Sequence, residues 1–164
     1  MNISDIDIEF DDEEDLFVIG DAQQYLFFKS GGDIYAIDVN HVSEMIEYQP
    51  LTRVPMMLDF VKGVTNIRGN IVTVIDLLHR FGLGETKIGS KTSLVIVDDI
   101  ALIIDEVHDV NNITEEDIKE SLNFGFKIEQ KYIRNMAKYN DMYIAVLNTQ
   151  EVLNISEISV IKGK

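Results

Sequence analysis

Apolar residues in this chain come in short β-branched and aromatic runs, each broken within a few positions by Gly, Asp, Asn or Pro. YLFFK (25–29) and IYAIDV (34–39) flank Ser30-Gly31-Gly32-Asp33, whose glycines supply the positive φ that a tight hairpin needs. SLVIV (93–97) and IALII (100–104) flank Asp98-Asp99, and KYIRNMAKY (131–139) and MYIAVL (142–147) flank Asn140-Asp141. Two more hairpins are predicted there. A fourth is predicted from VTN and NIVTVI on either side of Ile67, Arg68 and Gly69. VSEMIEY (42–48) is extended in character, and Pro50 and Pro55 interrupt pairing in the connection that follows.

Helical pattern is confined to single turns. MMLDFVKG (56–63) reads as one turn stopped at Gly63. Asp76 is a good N-cap for LLHRFGLG, with Gly82 or Gly84 as terminator, and Asn148 caps a last turn, TQEVL. Without long helical stripes, the pattern predicts an all-β barrel or sandwich. A weak echo runs through it: strand, polar cap and helical turn recur as IVTVID-LLHRF and IAVLN-TQEVL. Two similar small barrels are one reading, the first over about 23–84 with a possible return of the C-terminal segment and the second over about 88–147. Chance likeness among apolar strands is the competing one.

Charge changes the picture at one end. Of the 164 residues and net charge of −15, residues 1–22 contribute nine acids and no Lys or Arg. That stretch reads as a self-repelling, solvated, disordered tail ahead of a folded region over 23–160. The acidity argues against nucleic acid as partner, since phosphate neutralisation needs a basic face. The absence of cysteine removes disulfides, thiolate metal sites and cysteine nucleophiles. No apolar run approaches the roughly 20 residues of a membrane span, and the N-terminus is acidic where a secretory signal is basic. A soluble, cytoplasmic protein is expected.

One pattern suggests chemistry: Asp-x-x-His occurs as Asp38/His41, Asp76/His79 and Asp105/His108. Such pairs can bind zinc or non-haem iron when they share a helical face. Here Asp38 and Asp105 stand at strand ends, where positions three apart face opposite ways, and Asp76 serves as a helix cap. There is no P-loop, no GxGxxG opening a helix, no HExxH and no GxSxG. The sequence thus points to an interaction protein without catalytic residues, metal or cofactor.

Taken in order, QYLFF…IYAIDVNHVSEMI, TRVP, FVKGVTNIRGNIVTVIDLLHRF, ALIIDEVHDVNNITEEDI and YIRNM…MYIAVLNTQEVL resemble the CheW-type coupling proteins of bacterial chemotaxis. The likeness covers about residues 23–158. It implies a mainly β fold of two small five-stranded SH3-like barrels packed on a shared hydrophobic seam, with short helices. It implies a non-enzymatic adaptor joining the cytoplasmic tips of methyl-accepting chemoreceptors to the regulatory domain of the histidine kinase CheA, with further CheW copies as possible ring neighbours. The resemblance leaves the CheA-contact residues unassigned.

By the same resemblance the receptor lies in the groove between the barrels, and its contacts include Val42, Glu44, Lys62, Gly63, Asn66 and Arg68. Physical chemistry offers each a plainer role. Val42 can be core, Gly63 a cap, and Lys62 a rim charge worth little alone. Glu44 and Arg68 can pair in the free protein, Arg68 then exchanging to a receptor carboxylate or carbonyl. Departures from the family pattern fall at Thr73, Ala101 and Asn135-Met136-Ala137. A CheW-like module of a non-flagellar chemosensory pathway is the nearest alternative. A small-ligand or metal-binding protein using the inter-barrel groove is a more distant one.

Overall fold

The computed structural model describes residues 22–55, 58–120 and 125–154. Within them run β1 (Ala22–Ser30), β2 (Asp33–Asp38), β3 (Glu44–Glu47), β4 (Val61–Ile67), β5 (Asn70–Asp76), β6 (Ser93–Val97), β7 (Ile100–Ile104), β8 (Glu106–Thr114), β9 (Ile118–Glu120), β10 (Ile133–Tyr139) and β11 (Met142–Leu147). They form a six-stranded sheet in the order β8-β1-β2-β11-β10-β9 and a five-stranded sheet in the order β3-β6-β7-β5-β4. Neighbours are antiparallel except for the parallel pairs β2–β11 and β5–β7.

The four hairpins form where the pattern places them. Their turns hold positive φ at Gly31 and Gly32, Arg68 and Gly69, Asp98 and Asp99, and Asn140 and Asp141. Turns of that hand match the right-handed twist of the flanking strands. Asp76 and Asn148 cap the helical turns Leu77–Arg80 and Thr149–Val152, accepting from the backbone N–H of Leu78 and Glu151.

Three expectations are corrected. First, the sheets do not follow the sequential split near residues 84–88: β1 and β2 pair with strands beyond residue 105, and the whole five-stranded sheet is inserted between them. The parallel pairs impose this, because such neighbours must be joined by long crossovers. One sheet therefore has six strands, not five. Second, Val61–Gly63 belongs to β4 and is not the end of a helical turn; Met56 and Met57 lie outside the described residues. Third, β8 was not anticipated, and it pairs with β1 from Ala22↔Thr114 to Lys29↔Glu106. Residues 1–21 of the expected tail, and 155–160 of the expected folded region, lie outside the described residues; Ala22 is already in β1.

Side-chain alternation sorts the core into three clusters. Phe27, Ala36, Ile144 and Val146 fill the six-stranded sheet, and Val74, Leu94, Ala101 and Ile103 fill the five-stranded one. Their neighbours Leu26, Phe28, Ile37, Ile75, Leu102 and Ile104 point the other way and meet in a larger cluster between the sheets. Strands buried on both faces need continuous apolar runs, which is why LFF and IALII do not alternate with polar residues. The chain thus has a mainly β fold of two small barrels on a shared apolar seam.

Arg80 is buried beside that seam. Its Nε donates to the Val152 carbonyl at 2.8 Å and its Nη2 to the Glu151 carbonyl at 3.0 Å. The guanidinium lies 4.7 Å from the Phe60 ring centroid and 5.2 Å from that of Tyr132. One side chain therefore ties the turn after β5 to the turn after β11. No helix among the described residues is long and apolar enough to cross a membrane.

Candidate partner-binding site

β3 and β4 are the outer strands at opposite ends of the five-stranded sheet, and exposed backbone at such edges must be managed. The segment after β3 does so by continuing past Pro50 to run alongside β4. Thr52 and Val64 exchange backbone hydrogen bonds of 2.8 Å each. Gln49 Nε2 donates to Thr65 Oγ1 at 2.6 Å and to the Asn66 carbonyl at 2.8 Å, and Thr65 Oγ1 donates to the Pro50 carbonyl at 3.2 Å. A cleft of about 500 Å³ lies at this closure, lined among others by Glu44, Tyr48, Gln49, Asn66 and Arg68.

The turn on its rim is unusual for its residue type. Arg68 has φ 53° and Gly69 φ 86°. A left-handed arginine costs roughly 1–2 kcal/mol relative to glycine, and such strain concentrates at functional sites. Asn66 Oδ1 accepts from Gly69 N at 2.8 Å and holds the turn. Arg68 Nη2 meets Glu44 Oε1 at 2.5 Å, yet the Arg68 side chain is 68% exposed while that of Glu44 is only 14% exposed. The pair is rooted on its acidic side and open to solvent on its basic side.

Lys62 enters a second groove, of about 510 Å³, lined by Arg53, Val54, Leu58, Asp59, Val61, His79 and Glu85. Pairing of β4 with β5 skips a residue between Val61 and Gly63, so Lys62 is the extra residue of a β-bulge. Its ammonium donates to His79 Nδ1 at 2.8 Å and to Glu85 Oε1 at 3.3 Å. Gly63 itself has φ 147°, and a Cβ there would stand 2.4 Å from the Thr52 carbonyl oxygen. Its role in this fold is to admit the chain's own crossing segment.

The structure therefore brings Glu44, Asn66 and Arg68 to one cleft and sets Lys62 in the next groove. Gly63 lies between backbones. Val42 is buried in the cluster between the sheets and lines neither groove. The cleft stands at the closure of one sheet and not at the seam between the two, because that seam is filled by the core. Gln49 and Glu85 were not singled out from the sequence, and His79 was considered only as a metal ligand in the Asp-x-x-His pattern. Gln49 carried one usable signal, its place just before Pro50, where regular pairing of the β3 segment is interrupted.

The aspartates of the Asp-x-x-His pattern are engaged locally. Asp38 accepts from Asn40 N, Asp105 accepts from Gly32 N, and Asp76 accepts from Leu78 N, Thr86 N and Thr86 Oγ1. Among the described residues no three His, Asp or Glu side chains converge as metal ligands.

Comparison with known proteins gives this geometry a family. The CheW-like domain profile matches residues 24–157. The chemotaxis protein CheW of Klebsiella aerogenes is 27% identical over 144 residues, spanning 85% of this chain and 87% of that protein. That of Bacillus subtilis is 29% identical over 137 residues, spanning 81% and 88%. The crystal structure of the scaffolding protein TtCheW from Thermoanaerobacter tengcongensis superposes with a TM-score of 0.75 at 26% identity, covering 83% of this chain and 95% of that one. The shared architecture is a pair of SH3-like barrels. On this evidence of profile, sequence and fold together, the chain belongs to the CheW-like domain family, whose members are scaffold and coupling proteins of chemotaxis.

Proposed function

We propose that this chain is a non-enzymatic adaptor that couples methyl-accepting chemoreceptors to the histidine kinase CheA, with the Arg68 cleft and the adjoining Lys62 groove facing the receptor. The observation that carries the reading is the family match, which runs through strands of both barrels, residues 24–157. The Arg68–Glu44 pair supports it physically. An exposed ion pair is worth about 0–1 kcal/mol, so exchanging Glu44 for a carboxylate or helix-terminal carbonyl on a receptor costs little. The planar guanidinium offers such groups a two-pronged donor. Each contact is weak alone, and strength arises from many copies acting together.

Reconstitution of receptor cytoplasmic fragments, CheA and the full-length protein tests the reading. Kinase activation is expected only with all three present, and Arg68→Ala is expected to reduce it at least tenfold. Full activation of CheA by this protein without receptor would overturn the coupling role.

A further inference from the structure

We infer that His79 is a positioning residue that makes partner binding at the Lys62 groove depend on pH, holding the Lys62 ammonium back when neutral and releasing it when protonated. The inference rests on the reading of this groove as part of the receptor-facing side. An ammonium carries donors only, so Lys62 Nζ at 2.8 Å from His79 Nδ1 requires a lone pair on Nδ1. The imidazole proton then sits on Nε2 and the ring is neutral. Protonation places an N–H and a second positive charge against Lys62, and the contact cannot persist.

A replacement partner is already at hand. Glu85 Oε1 stands 3.3 Å from Lys62 Nζ and 3.6 Å from His79 Nδ1. The imidazolium takes this carboxylate, and Lys62 swings out towards the groove, where Val54 and Leu58 are exposed. The other charged groups of the groove are Arg53 and Asp59, from the segment ahead of β4. On the helical turn that carries His79, Arg80 is directed away to the Val152 and Glu151 carbonyls, and Asp76 is committed to Leu78 and Thr86. The exchange is driven by protonation of the His79 ring alone. The partner chemistry that reads it is an acidic side chain on an amphipathic helix, whose apolar face meets Val54 and Leu58.

Two measurements on the full-length protein test this. Nitrogen-15 NMR of the histidine rings at about pH 8 is expected to give His79 as the Nε2–H tautomer; a proton on Nδ1 would overturn the inference without touching the adaptor role. Binding to a receptor cytoplasmic fragment is expected to tighten roughly two- to fivefold as pH falls from about 8 to about 6. His79→Asn, which keeps an acceptor near the Nδ1 position but cannot be protonated, is expected to bind at the weaker value throughout. Lys62→Met is expected to bind more weakly than wild type at the lower pH and to lose the pH dependence. If His79→Asn follows the wild-type profile while Lys62→Met still weakens binding, the pH device is wrong and the groove assignment stands. If Lys62→Met binds as wild type at every pH, the groove is not receptor-facing, and the inference falls with that assignment.

Discussion

Arg68, on the turn between β4 and β5, pairs with Glu44 of β3, so one ion pair spans the two ends of a five-stranded sheet where it closes on itself. Its acidic member is held in the structure and its basic member is strained and largely in solvent. With the arginine largely in solvent, the pair contributes on the order of 1 kcal/mol. Arg68→Gly removes the pair and also the left-handed strain, so chemical denaturation is expected to place it within about 1 kcal/mol of wild type. Receptor pull-down is expected to fail. A stability loss above about 2 kcal/mol would make the arginine a structural clasp.

Gly63 and Gly69 separate crowding from strain. Both have positive φ, but a Cβ at Gly63 meets the Thr52 carbonyl at 2.4 Å whereas one at Gly69 meets nothing within 4 Å. Gly69→Ala is expected to cost about 1 kcal/mol, the conformational penalty alone. Gly63→Ala adds a backbone clash and is expected to cost about 2–4 kcal/mol. Urea midpoints of the two variants check the ordering, and equal losses would contradict it.

Arg80 satisfies two carbonyls in a place water does not reach freely. Arg80→Leu fills much of the volume but leaves the Val152 and Glu151 oxygens without these donors. A loss of about 2–4 kcal/mol is expected by thermal or denaturant unfolding. Arg80→Lys keeps the charge but not the fork, and is expected to recover only part of it.

Burial pushes the Tyr35 phenol up to about 12, with the nearby Asp33 carboxylate adding to the effect. The unfolded chain ionises this group near 10, so its contribution is fully present below about pH 10 and is lost as pH rises towards 12. Over that window it amounts to about 2–3 kcal/mol. Tyr25 is raised too, by burial and then by Asp38, and acts in the same direction. Tyr35→Phe is expected to flatten, without abolishing, the alkaline decline seen in denaturation between about pH 9 and 12. An unchanged slope would refute the assignment.

Local chemistry carried most of the legible information. The hairpins were readable because Gly-Gly, Asp-Asp and Asn-Asp interrupt strong apolar runs, and the two caps because Asp76 and Asn148 precede short helical patterns. Long-range pairing was not readable. β8, EVHDVNNIT, is an edge strand with much of its length at least partly exposed, so it carries neither a continuous run nor a clean alternation. MMLDFVKG looked helical because the bulge at Lys62 breaks the period of two. Of the candidate site, Glu44, Asn66 and Arg68 could be named together only through resemblance. Nothing in their spacing indicates that β3 and the β4–β5 turn meet.

The insertion of one sheet within the other implies an expected order of folding. The five-stranded sheet draws on the continuous stretch from Glu44 to Ile104, whereas β1 must find β8 across the whole of that stretch and β2 besides. Closing so long a loop in an unstructured chain is costly in entropy and slow. The inserted sheet shortens that gap once formed: Ser43 N bonds to Ile96 O where the chain enters it, and Asp105 N bonds to Lys29 O of β1 where the chain leaves it. The distant closure then becomes a shorter one, so the surface that carries Arg68 is expected to assemble first, with the six-stranded sheet built upon it.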